Sequence, residues 1–132
     1  KLLASLNIKE NIVLRGVEDQ KAFEAGLNNK TTPYGLMQVF EHIAKTQPIN
    51  SLMMKILLDQ KFNEIIPAHL PKNVKVAHKT GSITGVQHDS GIVFLPDGRK
   101  YVLILLSKNL KNADEGVKTL AQISKLIYDY MN

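Results

Sequence analysis

The chain has 132 residues, 44% apolar and 22% charged, which is the composition of an ordinary globular protein with a core of its own. No apolar run approaches the ~20 residues of a bilayer-crossing helix, and the absence of cysteine excludes disulfides, thiol catalysis and Cys-type zinc sites. Seventeen basic and twelve acidic residues give a net charge of +5, but fifteen of the basic residues are lysines scattered from Lys1 to Lys125, with only Arg15 and Arg99 beside them, so the balance describes a solvated surface rather than a nucleic-acid interface.

Lys1 to Leu6 reads as the tail of a helix already under way, so further residues upstream are expected. Val17 to Ala25 suits a short helix closed by Gly26. Asn28-Asn29-Lys30 is a polar loop, after which Thr32 as N-cap and Pro33 in the first turn start a helix with Leu36, Phe40, Ile43 and Ala44 on one face. A second helix is expected from about Asn50 to Gln60, with Leu52, Met53, Ile56 and Leu57 on its apolar side. Two prolines make Ile66 to Pro71 a connection.

The period then changes. Val74 to Thr80 alternates as a strand, with Val74, Val76 and His78 facing one way. Gly91 to Leu95 is a second strand, Pro96-Asp97-Gly98 a turn, and Tyr101 to Ser107 a third strand whose unbroken apolar run implies burial on both faces. Asp114 to Met131 closes the chain as an amphipathic helix with Val117, Leu120, Ala121, Ser124, Tyr128 and Met131 on one side. The fold class follows as α+β: residues 1–132 form one unit, mainly helical over 1–72, with three strands and a C-terminal helix over 73–132. Short turns make the three-stranded sheet antiparallel, and helices flank it.

Lys79-Thr80-Gly81-Ser82 at a strand end, followed by a loop containing Gly85, has the chemistry of an anion and carbonyl receptor. Lys79 supplies charge, Thr80 a hydroxyl donor and Gly81 room for a ligand to approach the backbone. Ser82 offers a backbone N–H to a developing oxyanion.

Lys-Thr-Gly is one of three motifs of the class A β-lactamase and penicillin-binding-protein superfamily of serine hydrolases, and the sequence resembles that family over nearly its whole length. Leu6 to Arg15 is similar to the segment entering the family's Ω-shaped loop, and Asn29-Lys30-Thr31-Thr32-Pro33 to the start of the next helix. Ile66-Pro67, Leu70-Pro71 and Val76 to Ser82 resemble the approach to the third strand. Asp89 to Val93 and Pro96-Asp97-Gly98 resemble the following strand and turn. The resemblance implies the C-terminal half of the β-lactamase/transpeptidase-like fold. It implies that Lys79, Thr80, Gly81 and Ser82 form a substrate-binding stretch in which Lys79 and Thr80 bind a carboxylate, either of a β-lactam or of a D-alanyl terminus. Ser82 then shares the oxyanion hole in an acyl-serine hydrolysis.

The pattern is incomplete. No Ser or Thr has Lys three places later, and Ser-Asp-Asn does not occur, so this chain holds no nucleophile and is expected to be inactive alone. Glu24-Ala25-Gly26-Leu27-Asn28 has the form of the deacylating motif, and an ungapped placement instead puts Val17 at the glutamate position beside Glu18; either Glu18 or Glu24 is the candidate base. His42, His69, His78 and His88 lack metal-site spacing, and neither a metal nor an organic cofactor is expected. Alternatives on the same scaffold are a D-alanyl-D-alanine carboxypeptidase or penicillin-binding protein, an esterase, and a non-catalytic β-lactam sensor or binding module. The family implies a periplasmic or secreted protein. Surface left open by the absent half is expected to promote self-association or pairing with that half.

Overall fold

Two tight turns fold the middle of the chain into a sheet. In the computed structural model, which describes residues 2–132, β1 (Lys75–Ile83) returns through Thr84-Gly85 into β2 (Val86–Phe94), and β2 returns through Pro96-Asp97-Gly98 into β3 (Lys100–Leu106). Gly85 (φ +73°) and Gly98 (φ +89°) take the left-handed backbone that these reversals need. The strands lie in the order β1-β2-β3, all antiparallel, with Ile83 opposite Val86 and Val93 opposite both Val76 and Tyr101.

Helices cover both faces of the sheet. On one, Val76, Val93, Leu103 and Leu105 pack against Leu120 and Tyr128 of α5 (Ala113–Met131) and against Ile65 and Ile66 from the connection. On the other, Ala77 and Ile92 meet Phe40 and Ala44 of α3 (Pro33–Thr46) and Met54 of α4 (Leu52–Leu58). Burying Ile92 completely contributes about 1.5–3 kcal/mol. The apolar run of β3 is thereby explained: Leu103 and Leu105 face α5, while Val102 and Ile104 face α3.

Two further helices, α1 (Leu2–Ser5) and α2 (Gln20–Glu24), flank a loop whose two ends are pinned together. Ile12 and Lys30 exchange backbone hydrogen bonds of 2.8 and 2.9 Å. The Asn29 carboxamide accepts from the N–H groups of Leu14 and Arg15 and donates to the Arg15 carbonyl. Thr31 and Thr32 donate hydroxyl hydrogen bonds to Asn11 and Glu10, and Thr32 also caps α3 through the Gly35 N–H at 3.0 Å. The polar Asn-Asn-Lys-Thr-Thr stretch is therefore the clasp of a closed loop, which its composition alone did not reveal.

Several boundaries and one helix face differ from the sequence expectation. The helix expected over Val17–Ala25 begins only at Gln20, because Asp19 caps it and the Arg15 guanidinium instead engages the carbonyls of Gly16 and Val17. The helix expected over 50–60 is Leu52–Leu58, and it buries Met54 with Leu57 and Leu58 partly covered; Leu52, Met53 and Ile56 point outward. Ser51 caps this helix through the Met54 N–H and so sets its phase. The first two strands form a longer hairpin than expected. Gly81 and Ser82 therefore lie within β1 rather than beyond its end, and β2 begins at Val86 instead of Gly91. Backbone pairing carries this polar stretch where side-chain alternation gives no signal.

Candidate active site

β1 is an edge strand of the described sheet, so Lys79-Thr80-Gly81-Ser82 has neighbours on one side only. These four residues line a cavity of about 710 Å³. Across from them stand Phe62, Glu64 and Ile65 of the connection before β1, and Asp114, Val117 and Lys118 of the first turns of α5. No lining residue comes from α3, so the helix starting at Thr32 forms no wall of this cavity.

The charge of the cavity is mixed. Lys79 and Lys118 are balanced by Glu64 and Asp114. Lys79 is exposed and donates to the Thr80 carbonyl at 2.5 Å, leaving the rest of its ammonium free for a ligand. Ser82 Oγ accepts from Gln87 Nε2 at 2.9 Å, so its hydroxyl is held across the hairpin. His88 is directly opposite Gly81, and its Nδ1 sits between the Ser107 N–H (3.1 Å) and the Gln87 carbonyl (2.9 Å), so the tautomer decides which it engages.

Behind this rim lies a buried polar network that motif reading did not find. His78 (1% exposed) places Nδ1 2.8 Å from Asp89 Oδ1 and Nε2 3.1 Å from Asn63 Oδ1. Asp89, fully buried, accepts the Ile66 N–H on its other oxygen at 3.0 Å. Ser124 of α5 then donates to the Ile66 carbonyl at 2.8 Å. Every buried polar atom of this chain of contacts has a partner, as a low-dielectric setting demands. A histidine and an aspartate in neighbouring strands were the available signal.

The two glutamates raised as deacylation bases lie elsewhere. Glu18 and Glu24 are exposed, neither lines the cavity, and Glu24 accepts from Gln20 one helical turn away. Among the described residues, no three His, Asp or Glu side chains converge as a metal cage would require, and no helix is long and apolar enough to cross a membrane.

Comparison with known proteins bears directly on this arrangement. A family model described as "Beta-lactamase enzyme family" matches residues 1–131. A beta-lactamase of Bacteroides uniformis is 28% identical across 83% of this chain and 42% of its own length. The crystal structure of TLA-1 extended-spectrum beta-lactamase superposes with a TM-score of 0.85 at 25% identity, covering 98% of this chain and 52% of that one. The structure of PBP-A does so with a TM-score of 0.81 at 26% identity, covering 98% and 49%. The chain thus spans about half the length of the relatives it matches, and does so with the helix-flanked antiparallel sheet read from its sequence. This chain belongs to the beta-lactamase enzyme family.

Proposed function

We propose that residues 1–132 are one portion of the catalytic domain of a β-lactamase-type serine hydrolase, and that they supply its carboxylate-binding and oxyanion wall. In this reading Lys79 and Thr80 hold the substrate carboxylate, Gly81 leaves the strand edge open, and the Ser82 N–H receives the carbonyl oxygen as it gains charge. The observation that carries it is the placement of these four residues on the open edge of β1, facing a cavity of about 710 Å³. The register supports the role of Ser82. It sits next to the Ile83–Val86 pair that closes the turn, and alternate residues of an antiparallel ladder turn their N–H groups away from the partner strand.

The 132 residues contain no Ser-x-x-Lys, so the nucleophile of this reading lies in sequence outside them, and the chain alone is inactive. Exposed Leu52, Ile56 and Phe62 are read as surface covered by the remainder of the domain or by another copy. The family setting favours a periplasmic or secreted protein acting on a β-lactam or a D-alanyl peptide. The test is to mix the full-length protein with a chromogenic cephalosporin and follow absorbance. Steady turnover supports the hydrolase; no reaction and no covalent adduct by mass spectrometry removes the reading.

A second reading, a penicillin-binding protein that is acylated and deacylates slowly, is favoured by the position of Glu18 and Glu24 outside the cavity. With neither motif glutamate over the acyl group, water lacks the general base that the motif would supply. A single burst of product followed by a stable adduct identifies this case. Replacing both glutamates by glutamine then leaves the adduct lifetime unchanged; a lengthened lifetime instead restores one of them as the base.

A further inference from the structure

The cavity has two walls from separate stretches of sequence, residues 62–65 and residues 79–82, and one hydrogen-bond network, buried at His78 and Asp89 and exposed at Asn63, joins them. Asn63 lies between the lining residues Phe62 and Glu64, and its carboxamide reaches His78, the residue just before Lys79. Asp89 stands directly opposite Thr80 in the ladder and binds His78 with one oxygen and the Ile66 N–H with the other. The contacts therefore close a ring through both walls: Asn63, His78, Asp89, Ile66 and back along the chain. Ser124 fixes the ring to α5, whose first turns complete the cavity.

None of these side chains lines the cavity, so none touches a substrate there. We propose that His78, Asp89 and Asn63 are positioning residues: by holding the 62–66 connection against β1 at Lys79 and Thr80, they fix the width of the cavity and hence the fit of the substrate carboxylate. The proposal rests on the hydrolase reading for the word substrate, but the coupling of the two walls stands on geometry alone. A buried ion-pair or hydrogen-bond ring in place of apolar packing is suited to specifying one geometry. Displacement of a binding wall by about 1 Å is enough to cost much of its effect.

The variants are chosen to cut the ring at different points. Asn63→Ala acts at an exposed position and should leave the fold intact. Asp89→Asn keeps an acceptor for His78 but presents an amide donor to the Ile66 N–H. Asn63→Asp keeps an oxygen facing His78 Nε2 and serves as the rescue. In the full-length protein, acylation by benzylpenicillin is measured against concentration. Asn63→Ala and Asp89→Asn are expected to raise the half-saturating concentration about tenfold with little change in maximal rate, and Asn63→Asp to restore it. The methyl ester of benzylpenicillin, which lacks the carboxylate, should distinguish none of the proteins.

Amide hydrogen exchange is measured on the same samples. Asn63→Ala should speed exchange in residues 62–66 and 78–82 together while β3 is unchanged. Exchange altered in 62–66 alone, or an equal penalty on penicillin and its ester, overturns the proposal. If the unsubstituted protein is never acylated, the hydrolase reading fails, and the exchange data still decide whether the walls are coupled.

Discussion

Gly91 faces His78 across the β1–β2 ladder, and the space where a side chain would stand is occupied by the histidine. A Cβ built on Gly91 comes within 2.6 Å of His78 Cβ and 2.7 Å of the Ala77 carbonyl oxygen. The glycine thus exists for packing, and it is what lets a bulky imidazole lie against the sheet beside Asp89. Gly91→Ala should destabilise the fold by about 1–3 kcal/mol or more, since backbone cannot yield as a side chain can. Denaturant titration reads this as a lower midpoint with an unchanged slope. A midpoint equal to that of the unsubstituted protein would show that the imidazole is not seated there.

Gly35 plays the corresponding part at the loop clasp. Its hypothetical Cβ meets Asn11 Oδ1 at 2.7 Å and Glu10 Cβ at 3.0 Å, and the Asn11 amide donates to the Gly35 carbonyl at 3.1 Å. Gly35→Ala should open the base of the loop without unfolding the sheet. Limited proteolysis is expected to cut residues 10–30 several times faster in the variant, while β1 to β3 stay intact. Equal cleavage rates would place the hold on the loop elsewhere, in the Ile12–Lys30 bridge or the Asn29 carboxamide.

How much of this was legible in the sequence depends on which interaction made each element. Pro33 and Thr32 announced α3, and the apolar spacing of Leu120, Ala121, Ser124 and Tyr128 announced α5, because capping and burial act locally and leave a period. The polar half of the β1–β2 hairpin left no such period, since backbone pairing alone extends it from Gly81 to Ile83 and back from Val86. The buried face of α4 was misplaced because every residue from Leu52 to Leu58 except Lys55 is apolar, so hydrophobicity cannot choose a side. Lys79-Thr80-Gly81-Ser82 was visible as a motif, whereas its partners Glu64, Asp114 and Lys118 are ordinary surface types that only the fold brings to one cavity.

Tyr101 gives a pH-dependent prediction. Its hydroxyl is buried without a hydrogen-bond partner among the described residues, and burial, together with the neighbouring Tyr128 phenol, pushes its pKa up to about 12. A group whose pKa is raised on folding contributes stability fully below its unfolded value near 10, and that contribution is lost as pH rises toward 12. Alkaline unfolding should therefore steepen between pH 10 and 12. Tyr101→Phe should flatten that limb and, by removing an unpaired buried hydroxyl, raise neutral-pH stability by about 1 kcal/mol. An unchanged alkaline limb in the phenylalanine variant would show that this phenol titrates as freely in the folded chain as in the unfolded one.

Gly81 separates a packing requirement from a functional one. Unlike Gly91 and Gly35, it has open space at its missing side chain: the nearest atom to a built Cβ is His88 Cβ at 3.8 Å, an ordinary contact, and its φ is not in the left-handed region. The fold therefore has no need of glycine here, and Gly81→Ala should melt within a degree or two of the parent protein. What the methyl group would occupy is open space on the sheet face that Gly81 shares with His88, both of which line the cavity that the proposed substrate enters. Acylation of the full-length Gly81→Ala protein by a penicillin should accordingly fall by roughly tenfold to a hundredfold, the cost of displacing a reactant by about 1 Å. A variant that folds normally and reacts at the parental rate would mean that the substrate does not lie along this edge, and the carboxylate-binding role of Lys79 and Thr80 would fall with it.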